Sequence, residues 1–197
     1  MTFISFEFYV FLIAVLPLYY IFPLRQRWII LLMSSMTFYY LADRQALRIL
    51  ITTVLVSYVL GLWIHYSKKG DITKRKLRLI ISLCLVATPF AIVKWGNFVL
   101  SSWLHRDKIN FIVPLGMAFY TMQIVAYLVD VYKDKIPPEK SLFKYMLFIT
   151  YFPQIIQGPI PRYDNLRKSL FRDNSFDADR VTKGLQLIIW CCGQAFL

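Results

Sequence analysis

Apolar runs joined by short basic connections organise this chain. A helical bilayer span takes roughly 20 apolar residues. Phe3–Pro23 meets that length, with Pro17 predicting a kink. Trp28–Ala42 is shorter; a tilted span, a start at Leu24 and a partial crossing all fit it. Ala46–Tyr66 is a full span, with Arg48 near enough to its end to reach the interface. Leu77–Val93 follows, and then Lys94–Leu104, whose tryptophans suit an interfacial position. Asn110–Val131 and Leu142–Ile156 are the next two spans, and Gly184–Leu197 begins another. With no internal repeat and no low-complexity linker, the pattern predicts one all-α, multi-pass transmembrane domain over residues 1–197.

Composition agrees with that class. Hydrophobic residues make up 58% of the 197, mean hydropathy is +0.52, and 16 Phe, 13 Tyr and 5 Trp are present. A soluble domain of this size has too little interior to bury so much apolar surface. The 23 Lys and Arg outnumber the 11 Asp and Glu. They sit largely in short connections between apolar runs, which is a pattern of membrane topology and argues against nucleic acid as a partner. No basic region precedes Phe3, Glu7 comes early and no small-residue cleavage site follows, so the first helix is expected to be retained.

Charge also constrains the topology. Ser67–Arg78 holds six cations and is expected on the cytoplasmic side, and Gln157–Lys183 holds six as well. Three apolar segments lie between them, whereas two cytoplasmic connections need an even number of crossings. The segment around Lys94–Leu104 is therefore expected to cross twice, re-enter or fail to cross; an external Gln157–Lys183 loop is the alternative.

Two stretches carry polar groups at membrane depth. Gly116, Tyr120, Gln123, Tyr127 and Asp130 recur at steps of 4, 3, 4 and 3, so they share one helical face, opposite Val, Ile, Leu and Ala. Facing lipid, such groups cost a few kcal/mol, which turns the stripe toward protein or a water-filled cavity. Bonding across to neighbouring helices and lining a substrate passage are both open readings. Asp130, beside Lys133 and Lys135, also fits a membrane exit. The second stretch, Tyr151–Tyr163, reads YFPQIIQGPIPRY. Its Pro153, Gly158, Pro159 and Pro161 interrupt any helix, leaving a bend between helices or the wall of a polar site containing Gln154, Gln157 and Arg162.

These stretches resemble the membrane-bound O-acyltransferase (MBOAT) family, in particular the alginate-type branch that acylates bacterial surface polysaccharides. That branch reads FFPQ, a short apolar step, GPI and an arginine region, as Phe152–Gln154 and Gly158–Arg162 do here. Upstream, PLGMAFYTMQIVAYLVDVY at Pro114–Tyr132 is similar to the family's PLG, FYT, Q, Y and DVY pattern. The resemblance runs in order from residue 1 to about Trp190. It implies transfer of an acyl group, acetyl by preference, from a cytoplasmic thioester such as acetyl-coenzyme A. The implied acceptor is a hydroxyl on an exported polysaccharide or teichoic-type polymer, or an extracytoplasmic acyl-relay protein. The setting is the bacterial plasma membrane. On this view Tyr120, Gln123, Tyr127, Asp130, Gln154, Gln157, Gly158, Pro159 and Arg162 are the candidates for a substrate passage, Arg162 attracting an anionic donor. A non-catalytic multi-pass protein, such as a transporter piece or a scaffold subunit, is the rival reading.

No catalytic constellation is present. The family's histidine lies in a later apolar helix, and neither His65 in WIHYSKK nor His105 in WLHRDKIN matches its setting. There is no GxSxG, Walker or HExxH motif. Cys84, Cys191 and Cys192 form neither a CxxC pair nor a zinc set, so no bound metal or cofactor is expected. From Cys191 onward the sequence CCGQAFL departs from the family pattern inside an apolar run. That predicts a C-terminally truncated fragment, inactive by itself.

Overall fold

The structure is a computed structural model that describes residues 6–23, 26–66, 72–102, 116–152, 163–170 and 182. Among them lie seven helices and no strand: α1 (Phe6–Ile21), α2 (Arg27–Ala42), α3 (Arg44–His65), α4 (Ile72–Ser102), α5 (Met117–Tyr132), α6 (Leu142–Thr150) and α7 (Tyr163–Leu170). The first three follow the apolar runs closely, and Pro17 lies inside α1. Asp43 divides α2 from α3. Its N–H closes α2 on the Tyr39 carbonyl at 2.9 Å, while its carboxylate accepts the Gln45 N–H at 2.7 Å and starts α3.

Polarity in α3 is inverted relative to a soluble helix. Thr53, Ser57 and Gly61 lie on its buried face, whereas Leu55, Val56, Val59 and Trp63 are exposed. Thr53 and Ser57 satisfy themselves by donating to the Ile49 and Val54 carbonyls at 2.8 and 3.0 Å. Two helices, Arg44–His65 and Thr73–Trp95, are long and apolar enough to cross a membrane. Only 11% of the apolar window in Thr73–Trp95 is buried, which no core helix of a soluble protein would tolerate. An apolar surround suits it.

The structure corrects several boundaries. Lys94–Leu104 is not a separate or re-entrant segment: α4 continues through it to Ser102, giving 31 residues and about 46 Å of helix. Its glycine costs a helix only about 1 kcal/mol, and Lys94 lies over the Phe90 ring one turn back, so nothing there stops propagation. Within the run Asn110–Val131, α5 starts at Met117, because Gly116 takes the left-handed conformation at φ 70°. Gly116 is therefore the N-cap of α5, not a member of its face. In the run Leu142–Ile156, α6 covers nine residues, Leu142–Thr150, about 14 Å and too short to span by itself. Pro153 has no N–H to return to Ile149, and Tyr151 is already non-helical. Finally, α7 occupies part of what reads as a long connection.

Polar contacts bring several of these helix ends together. Arg75 at the start of α4 makes a bidentate pair with Asp134, just past α5, at 2.8 and 2.9 Å, and its guanidinium lies over Tyr132. The starts of α4 and the end of α5 therefore share one end of the bundle. Glu139, in the same 133–141 connection, holds Tyr163 at the start of α7. The start of α4, the end of α5 and the start of α7 are thus tied to one end of the bundle.

Candidate functional site

The α5 ridge is buried where the chain needs polar atoms. Tyr120, Gln123 and Tyr127 are buried, and Asp130 lies half-buried in the last turn. The buried face is wider than the ridge, because Ile124, Leu128 and Val131 share it while Phe119 and Met122 are exposed. Gln123 donates its amide to the Phe148 carbonyl at 2.8 Å. In a continuing α6 that carbonyl would take the Phe152 N–H, which instead meets Ser35 Oγ of α2 at 3.4 Å. Side chains of α5 and α2 thus finish the interrupted end of α6. Replacing Gln123 with leucine leaves the Phe148 carbonyl buried and unpaired. We expect a loss of about 1–3 kcal/mol, read as a lower thermal midpoint of the purified chain.

Tyr127 lies at the crossing with α3. A Cβ at Gly61 would stand 3.1 Å from Tyr127 Cε1, so glycine lets the two helices meet closely without moving the ring. The phenol accepts the Glu139 N–H at 3.0 Å. Tyr145 and Tyr163 pack on its ring at 4.9 and 5.4 Å, and Tyr145 donates to Ser57 at 2.9 Å. Both open readings of the ridge keep their polar atoms inside protein. The bonds that Gln123 and Tyr127 make go to neighbouring elements.

Glu139 is the residue that the sequence reading passed over. Its Oε1 accepts the Ser141 N–H at 3.2 Å, ahead of α6, and its Oε2 accepts the Tyr163 hydroxyl. Arg167 Nε stands 4.0 Å away. One mostly buried carboxylate thereby joins the start of α6 to α7. Burial, then the adjacent Glu139 carboxylate, push the Tyr163 phenol well above its ordinary value. The available signal was the Pro137-Pro138-Glu139 run two residues ahead of a serine N-cap. Next to α7, an apolar cavity of about 290 Å³ lies between α1, α2 and the end of α6, lined by residues including Leu16, Tyr19, Leu31, Phe152 and Leu166.

His65 is exposed at the end of α3, its ring against Tyr66, and Cys84 is exposed on α4. No group of three or more His, Cys, Asp and Glu suited to a metal occurs among the described residues. Gln154, Gln157, Gly158, Pro159, Arg162, His105, Cys191 and Cys192 lie outside the described residues.

No protein-family model matches the chain. No solved structure matches it either. Curated relatives do. The probable alginate O-acetylase AlgI of Azotobacter vinelandii is 26% identical over 185 residues, covering 89% of this chain and 37% of that protein. Its counterpart in Pseudomonas putida is 28% identical over 187 residues, covering 89% and 38%. The peptidoglycan O-acetyltransferase of Helicobacter pylori is 26% identical over 174 residues, covering 74% and 32%. The chain spans about a third of the length of these relatives. A polar-cored helical bundle and matched relatives thus agree: over most of its length this chain is similar to membrane-bound O-acyltransferases that acetylate bacterial polysaccharides.

Proposed function

We propose that this chain forms part of a membrane-bound O-acyltransferase. The enzyme transfers acetyl from a cytoplasmic thioester such as acetyl-coenzyme A to a hydroxyl of an exported polysaccharide or teichoic-type polymer. An extracytoplasmic relay protein is an alternative immediate acceptor, and the setting is a bacterial plasma membrane crossed several times. One observation carries the reading: polysaccharide O-acetylases match 89% of the chain. The α5 ridge of Tyr120, Gln123, Tyr127 and Asp130, with Gln154, Gln157, Gly158, Pro159 and Arg162 downstream, contributes frame and wall to a passage between the helices.

Neither histidine of the sequence has the apolar setting that the resemblance implies for the base. His65 is exposed at a helix end, and a general base must sit within hydrogen-bond reach of the hydroxyl it deprotonates. By itself the chain therefore binds without turning over. The test is photocrosslinking of the purified chain in lipid nanodiscs with an acetyl-coenzyme A analogue. Labelling competed by acetyl-coenzyme A, without product, is expected. Ion flux across vesicles with no competed labelling would favour the transporter reading, and a measurable transferase rate would refute inactivity.

A further inference from the structure

A cavity with a cation at its rim lies away from the α5 ridge. It occupies about 290 Å³ between α1, α2, the end of α6 and α7, and among the described residues only aliphatic and aromatic side chains line it. Leu12, Leu16 and Tyr20 stand one turn apart on α1 and form one wall. Leu166 and Leu170, one turn apart on α7, form another. The Tyr163 hydroxyl, donating to Glu139, holds the start of α7 in place beside them.

The cation is Arg27, in the first turn of α2. It stands one helical turn before Leu31, which lines the cavity, so the two share a face. Its guanidinium carbon lies 5.2 Å from the centre of the Tyr19 ring and 5.3 Å from that of Tyr20, and both rings line the cavity too. Nε donates to the Phe22 carbonyl at 3.2 Å, which ties the side chain to the end of α1.

Size and charge together select an occupant. Packed protein leaves few spaces of this size. The volume is about twice the roughly 150 Å³ that admits benzene, so an acetyl group would leave most of it empty. Within a bilayer, a lipid tail matches walls of leucine and aromatic ring. Arg27 adds a headgroup requirement, because a guanidinium holds a phosphate through paired N–H bonds. It lies where α1 ends and α2 begins, a position suited to a headgroup above a buried tail. A net-anionic lipid is favoured, since it carries no ammonium of its own to offset the phosphate.

We propose that this cavity binds one acyl chain of an anionic phospholipid, with the lipid's phosphate on Arg27. The site requires a bilayer around the helices and stands without the acetyl-transfer reading. Its tail fills the space between α1 and α7 and joins both to the α2–α6 pair.

Native mass spectrometry of the detergent-purified chain provides the test. The probes are dioleoyl phosphatidylglycerol and dioleoyl phosphatidylcholine, which differ in headgroup alone. One phosphatidylglycerol per chain is expected at saturation, bound about tenfold more tightly than phosphatidylcholine, the scale of a charge-assisted bond. Arg27→Gln should remove that preference, and Arg27→Lys should keep part of it. Leu16→Trp fills the cavity and should weaken both lipids about tenfold without lowering the thermal midpoint. Absence of a saturable single lipid would overturn the proposal. So would equal affinity of the two lipids for the native chain, or an undiminished preference in Arg27→Gln. A Leu16→Trp chain that melts like the native one and still holds its lipid would overturn it as well. Where Leu16→Trp fails to fold, the Arg27 variants decide alone. Displacement of bound phosphatidylglycerol by equimolar palmitoyl-coenzyme A would give the cavity to a thioester's chain and refute the phospholipid.

Discussion

Replacing Glu139 with alanine should release α7 from the bundle and lower stability by about 1–3 kcal/mol, the scale of leaving a buried hydrogen-bonding group unpaired. The Tyr163 hydroxyl, the Ser141 N–H and the Arg167 guanidinium all converge on this carboxylate. Truncation leaves the phenol buried without an acceptor and strips α6 of its lead-in bond. Arg167 is exposed, so trypsin should cut after it far faster in Glu139→Ala than in the native chain. Equal cutting rates and equal thermal midpoints would show that α7 is held by its apolar side alone. Alkali offers an independent check. The Tyr163 pKa is raised in the fold from its ordinary 10.0, so this contact contributes fully below that pH. Its contribution then falls as pH climbs further, because the unfolded phenol ionises first. Tyr163→Phe should abolish that alkaline component.

Gly61→Leu should be the most damaging single change at the α3–α5 crossing. Even a Cβ would stand 3.1 Å from Tyr127 Cε1, and the remaining leucine atoms have nowhere to go without separating the helices. Overpacking of this kind costs about 1–3 kcal/mol, occasionally more. Here it also disturbs the Tyr127 ring that packs on Tyr145 and Tyr163. Gly61→Ala should cost much less, since the tyrosine edge needs to yield by only a few tenths of an ångström. Thermal unfolding of the two variants checks the order. A Gly61→Leu chain as stable as Gly61→Ala would mean the helices are not held at this spacing.

Runs whose ends coincide with strong local signals were legible in the sequence. Asp43 between two apolar runs is such a signal, and α2 and α3 fall within two residues of expectation. The burial of Gln123 and Tyr127 was equally legible, because an amide or phenol in a span has no tolerable exit to lipid. The ends set by tertiary contacts were not. Trp95 near a lysine reads as an interface, but α4 runs on beyond it. Leu142–Ile156 reads as one apolar run, but the chain leaves the helix before Pro153, where Gln123 and Ser35 receive the freed groups. Glu139 escaped notice because its importance lies in Tyr163, 24 residues on, and no local pattern announces such a pairing.

The borrowed ending of α6 constrains how the molecule comes together. Nine residues make only a marginal helix, and the Phe148 carbonyl and Phe152 N–H at its end would stand bare in hydrocarbon until an amide from α5 and a hydroxyl from α2 were in place. The short helix is therefore expected to dock only once α2 and α5 stand where their side chains can reach it.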